Sequence, residues 1–249
     1  MKREEEEALK GFLLNRKPPA FEGFDERSRR LYRRLVRGAL SRGVKGSLPR
    51  TVEYLGEEAL EDWIRRWMED SPPKSRLYWR LPLLFAEWIR NQEATPAWLG
   101  DLVHWEAVQL DVRNASDWAE GGEEQPLEEQ PDRKARVALD PSTRLGIYEY
   151  PVYRWKGGGN PTKGGGGPYF VVIYRRDERP WWRVVEGKVA QLLALVAEGS
   201  PLEEGLKGLE TMYGAIEAEP LMEELRLLRE RGAIRGFLRD SMAIGEDSG

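Results

Sequence analysis

The sequence predicts an α+β fold in two parts: an all-α N-terminal helical domain, then a domain in which a small antiparallel sheet packs on three helices. Three observations carry this. Apolar residues recur at helical spacing up to about residue 117, acidic residues mixed with glycine and proline fill 118–133, and beyond that the apolar period shortens to that of strands before returning to helical. The domains are therefore expected at 1–117 and 134–249, with 118–133 as an acidic linker.

In the first domain, segment 28–40 places Leu31, Tyr32, Leu35, Val36, Ala39 and Leu40 on one helical face and Arg29, Arg30, Arg33, Arg34 and Arg37 on the other. Segment 57–69 repeats the pattern with Leu60, Trp63, Ile64, Trp67 and Met68, after a Gly56 able to end the preceding turn. Ser71-Pro72-Pro73 breaks that helix. Another is expected over 81–91, with Pro82 tolerated in its first turn. Thr95-Pro96 reads as the cap and first residue of a helix carrying Trp98, Leu102, Trp105, Val108 and Val112.

The second domain predicts strands at 135–139, 145–155, 168–175 and 181–185, the run Tyr169–Tyr174 being the strongest by composition. A glycine-rich stretch around 157–167 reads as a mobile hairpin loop. Helices follow at 186–198, from Ser200 (N-cap, with Glu203 closing a capping box) to Tyr213, and at 219–231 ending at Gly232, before a last strand at 233–238. Three helices with a closing strand predict a winged-helix arrangement.

Composition limits the chemistry. The chain has no cysteine and one histidine, so thiolate metal sites and cysteine nucleophiles are excluded and histidine-based catalysis is disfavoured. His104 with Asp101 three residues before it falls short of a triad or a metal cage. No carboxylate pair stands out for acid–base work, so no enzyme activity, cofactor or metal is expected. The glycine-rich stretch lacks the G-K-[ST] ending and the following helix of a phosphate-binding loop. Neither an apolar leader nor an apolar run of about 18 residues is present, so a soluble cytoplasmic protein without a membrane segment is expected.

Two features point to binding. From Arg27 to Arg50 there are nine basic residues and no acidic one, a stripe suited to phosphates or to an acidic partner. The net charge of −4 argues against nucleic acid, and segment 219–231 mixes Arg226, Arg229 and Arg231 with Glu219, Glu223, Glu224 and Glu230. Trp181-Trp182 would point to opposite faces of a strand, which suits one of them to an interface.

The stretches Leu48-Pro49-Arg50-Thr51-Val52-Glu53-Tyr54-Leu55-Gly56-Glu57-Glu58 and Leu99-Gly100-Asp101-Leu102-Val103-His104-Trp105-Glu106-Ala107 resemble the opening domain of the HvfC/BufC family, whose members have often been labelled DNA-binding. Asp140-Pro141-Ser142-Thr143-Arg144-Leu145 and Tyr150-Pro151-Val152-Tyr153-Arg154-Trp155 are similar to that family's next segments, and the later helices resemble the PqqD-like, RRE-like peptide-recognition fold. The resemblance implies a non-catalytic partner, as a heterodimer, of a multinuclear non-haem iron oxidative enzyme. Its role would be to bind a ribosomally made precursor peptide and present it for post-translational modification. The peptide is then expected to add to the edge of the 169–174 strand through Tyr169, Val171 and Ile173, with its apolar side chains on Leu221, Leu225 and Leu228. Arg30, Arg33, Arg34, Arg37, Trp181 and Trp182 are the candidate contacts to the enzyme. The alternative is a DNA-binding transcriptional regulator.

Overall fold

In the computed structural model, residues 25–73, 77–116, 127–155 and 166–238 are described. They form an α+β protein of helices and two small antiparallel sheets. The chain divides into two compact units: Met1–Leu110 with Tyr150–Gly165, and Asp111–Glu149 with Gly166–Gly249. No helix among the described residues is long and apolar enough to cross a membrane.

The described elements of the first unit are helical: α1 (Glu26–Gly46), α2 (Pro49–Leu55), α3 (Glu57–Asp70), α4 (Leu81–Arg90) and most of α5 (Ala97–Asn114). Asp25 caps α1 by accepting from the Ser28 N–H at 2.7 Å. The core gathers Val44, Leu48, Leu60, Ile64, Trp67, Phe85, Ile89, Leu99 and Val103; helical spacing selects Leu60, Ile64 and Trp67 among them, whereas Leu31 and Leu35, expected on an apolar face, are exposed. The short helix α2, which the sequence reading leaves as a turn, is held by a buried acid on another helix. Glu106 of α5 accepts from the Arg50 N–H (2.8 Å), the Thr51 N–H (2.8 Å) and the Thr51 hydroxyl (2.7 Å). These bonds satisfy N–H groups that a helix start otherwise leaves unpaired. Burial still raises the Glu106 pKa above the usual carboxylate value, with the Thr51 and Arg50 bonds opposing it. The two stretches that carry the family resemblance therefore meet through this carboxylate.

The expected strand over 145–155 divides. Its first part is β2 (Arg144–Tyr148), and its second turns into a 3-10 segment, Val152–Arg154, belonging to the helical unit. Pro151 cannot donate to a ladder, and the aromatic residues around it bury among helices instead. Trp155 lies 5.4 Å from the Tyr54 ring and 6.4 Å from Trp98, and the Tyr150 N–H donates to Asp101 at 3.0 Å.

The second unit has one sheet in the order β2–β3–β4, with β3 (Tyr169–Arg176) and β4 (Arg179–Val185), and a two-stranded ribbon of β1 (Arg136–Leu139) and β5 (Ile234–Leu238). Helices α6 (Gly187–Val196), α7 (Leu202–Tyr213) and α8 (Ala218–Arg231) share a core with them through Val172, Val185, Leu192, Leu209, Leu225 and Phe237. Gly232 closes α8 in the left-handed region at φ 92°. The capping box expected at Ser200 does not form. Pro201 is the N-cap, bridged to Arg136, and the Leu202 and Glu203 N–H groups donate to Ala135 O (2.9 Å) and Arg133 O (2.7 Å). Pairing with the chain beside β1 satisfies the groups that the box would have served.

The expected linker also ends early. Residues 117–126 lie outside the described residues, but Glu128 pairs with Phe237 of β5 in both directions, at 2.8 and 3.1 Å. Glu129 then holds Arg229 (3.0 Å) and Gln130 holds Arg226 (2.9 Å). Backbone pairing on β5 and ion pairs to α8 order a segment whose composition alone argues for solvation. Both margins of the β1–β5 ribbon thus carry the protein's own backbone, at Glu128 on one side and Pro201 on the other.

Candidate functional site: the outer margin of β4

Strand β3 is interior. It pairs with β2 from Arg144↔Ile173 to Tyr148↔Tyr169 and with β4 from Phe170↔Val185 to Arg176↔Arg179. This corrects the expectation that a peptide adds to 169–174, because both sides of that strand are occupied by the protein's own strands. Val171 and Ile173 are fully buried and Tyr169 is half-buried. The reason is the composition that drew attention to the run: β-branched and aromatic residues at successive positions suit a strand covered on both faces and both sides.

β4 lies at the edge of its sheet, with β3 as its one strand neighbour among the described residues. The hairpin joining them turns on Asp177 (φ 51°) and Glu178 (φ 59°), a two-residue loop with both residues left-handed. Such a loop makes Arg176↔Arg179 a hydrogen-bonded pair, and alternation then turns the backbone groups of Pro180, Trp182 and Val184 away from β3. Pro180 agrees with this, since proline sits in a sheet where its missing N–H faces outward.

Beside this margin runs a cleft of about 260 Å³ between the end of β4 and the start of α8, lined by Arg183, Val184, Val185, Val189, Pro220, Leu221 and Glu224. Arg183 on β4 makes a two-pronged ion pair with Glu224 on α8, its Nη2 lying 3.1 Å from Oε2. The Glu224 bond raises the Arg183 pKa, so the guanidinium stays charged. Val184 is 41% exposed, Trp181 47% and Trp182 42%. The two tryptophans are on opposite faces of β4, as alternation requires, and neither face hides its ring.

Of the residues expected to line a peptide groove, Leu221 does so. Leu225 and Leu228 do not: both are buried in the core, at 0% accessibility, because α8 packs that stripe against β5 and α6. Arg183, Val184, Pro220 and Glu224 escaped the sequence reading, although Pro180 was a usable sign of an edge strand. Arg30, Arg34 and Arg37 line a separate cleft against α3 in the first unit, while the Arg33 side chain lies outside the described residues.

His104 is largely buried, and that burial, helped by the charge of Arg90, lowers its pKa to about 4. Asp101, its expected companion, accepts from Arg90 Nη2 at 3.2 Å and from the Tyr150 N–H. No group of three metal-ligating side chains comes together among the described residues. Comparison with known proteins gives neither a matching family model nor a matching curated protein.

Proposed function

We propose that this chain is a non-catalytic, cytoplasmic peptide-binding partner protein that captures an extended precursor peptide and presents it to a multinuclear non-haem iron oxidative enzyme. The observation that carries the peptide half is the edge position of β4 beside a cleft whose lining mixes apolar side chains (Val184, Val185, Val189, Pro220, Leu221) with the charged Arg183, Glu186 and Glu224. An extended peptide gains main-chain hydrogen bonds from an unpaired strand margin and side-chain specificity from a neighbouring groove. The enzyme half rests on the resemblance to the HvfC/BufC family, with Trp181 and Trp182 as contact candidates. The order of sheet, three helices and closing strand supports the winged-helix, RRE-like reading of the second unit.

The DNA-binding alternative is weakened by α8. Its Arg226 is bound by Glu219 (3.0 Å), Glu223 (2.8 Å) and Gln130, and its Arg229 by Glu129. A recognition helix with two of its three arginines neutralised by its own protein offers less to phosphate.

Tagged full-length protein recovered from its native host tests the reading. A short precursor peptide and an iron-bearing enzyme should co-purify, and Val184→Pro should lose the peptide at least about tenfold while keeping the enzyme, since it removes an outward N–H. Retention of the peptide by that variant removes β4 as the binding edge; recovery of nucleic acid in place of both proteins favours the regulator.

A further inference from the structure

The helical unit holds a second built feature. A cleft of about 440 Å³ runs between α1 and α3, where Arg30, Arg34, Arg37 and Arg65 face the single carboxylate of Glu61. That carboxylate is already engaged: it accepts from Ser41 Oγ at 2.7 Å and lies 2.7 Å from Lys45 Nζ, and these two partners lower its pKa. Arg65 is held at 3.1 Å by Asp62 on its own helix. Arg30, Arg34 and Arg37 have no acidic partner among the described residues, and all three are exposed.

The floor of the cleft is apolar, formed by the buried Ile64 and Met68, and Gly38 leaves its wall low. Leu31 and Leu35, 57% and 58% exposed, lie round α1 from the arginine stripe and do not line the cleft. The spacing Arg30, Arg34, Arg37, Ser41 follows one helical stripe, which extends about 16 Å, or three turns. A phosphate backbone has no use for an apolar floor beneath the cations, whereas an amphipathic acidic helix would use both.

We infer that the α1–α3 cleft is a docking site for an acidic amphipathic helix of a partner protein. Its glutamates or aspartates pair with Arg30, Arg34 and Arg37, and its apolar side chains lie over the floor formed by Ile64 and Met68. The inference deepens the partner-protein reading by giving the chemistry of one contact. The site itself does not depend on the β4 margin.

The test uses the full chain and a fluorescent synthetic three-turn helix bearing glutamates at spacings of four, three and four residues, with leucines alongside. Binding followed by anisotropy should weaken with salt, and Arg34→Glu with Arg37→Glu should lower affinity by about tenfold or more. Arg80→Glu, an exposed position in the same unit that does not line the cleft, should change it little. Gly38→Leu supplies a charge-neutral plug: a Cβ there meets nothing nearer than the Arg42 guanidinium at 3.4 Å, so the fold tolerates it. It should cost comparable affinity with no loss of thermal stability. The inference is overturned if the glutamine counterpart of the probe binds equally well, or if either cleft variant leaves affinity unchanged. Tighter binding of a duplex DNA oligonucleotide, or a dimer of the chain that Arg34→Glu with Arg37→Glu dissociates, also overturns it, in favour of phosphate or a second copy. Because the probe is synthetic, a failed co-purification from the host leaves this result standing, and the reverse also holds.

Discussion

Strands β3 and β4 are neighbours in one hairpin and have opposite uses. β3 is made of β-branched and aromatic residues, is buried at four successive positions and is paired on both sides. β4 begins Arg179-Pro180, alternates exposed and half-buried residues, and has one strand partner among the described residues. The stronger a strand looks in sequence, the more it belongs to the interior, and the less it can offer a visitor. Capacity to accept another chain resides in the weaker-looking strand, where proline and arginine are tolerated.

Breaking this contrast at β3 should have the largest effect. Val172 is buried in the shared core and its N–H belongs to a ladder whichever neighbour it faces. Val172→Pro is expected to cost about 3 kcal/mol or more, read as a lowered urea midpoint of the second unit. A change confined to under about 1 kcal/mol would mean that β3 is not interior.

A second outcome separates the two units. The folded His104 titrates at about 4, against a usual value of 6.5. As pH falls through that window, the unfolded chain takes up a proton that the folded chain refuses, so stability falls, by about 3 kcal/mol in all, and levels off below it. Glu106, whose pKa is raised, acts in the opposite direction, so the difference between the native chain and His104→Gln isolates the histidine. The decline should be smaller in the variant and confined to the helical unit in hydrogen exchange; identical pH profiles would remove the assignment.

The smallest effect is expected at the tether between β4 and α8. Arg183 and Glu224 are both partly exposed, so screening limits their pair, and Glu224→Gln should cost about 1 kcal/mol or less. A thermal melt checks it, and a loss as large as that of Val172→Pro would make the tether, rather than the core, what fixes β4.

Most helices were legible because amphipathic spacing, proline and glycine act locally: the expected 57–69 and 219–231 appear as Glu57–Asp70 and Ala218–Arg231. The helix Pro49–Leu55 was missed because its anchor, Glu106, is distant in sequence. The division after Tyr148 and the pairing of Glu128 with Phe237 escaped for the same reason, since neither partner is written beside the residue it fixes. At the site, Trp181 and Trp182 could be singled out from their adjacency, but strand order could not. That is why the peptide was expected along 169–174, a strand that is interior, and why Leu225 and Leu228 were taken for groove residues rather than core.

The bridged ribbon has a consequence for crowding. Glu128 and Pro201 each occupy one position on the margins of β1 and β5, which narrows the room there for a sticky segment from a sister molecule, whereas the rim bearing Trp182 and Val184 carries no such bridge among the described residues. Pro180 there withholds a donor, and the exposed Arg179 adds a charge that repels its counterpart on an identical rim laid alongside. Clumping at high concentration is thereby discouraged at the same margin that the proposed peptide would use.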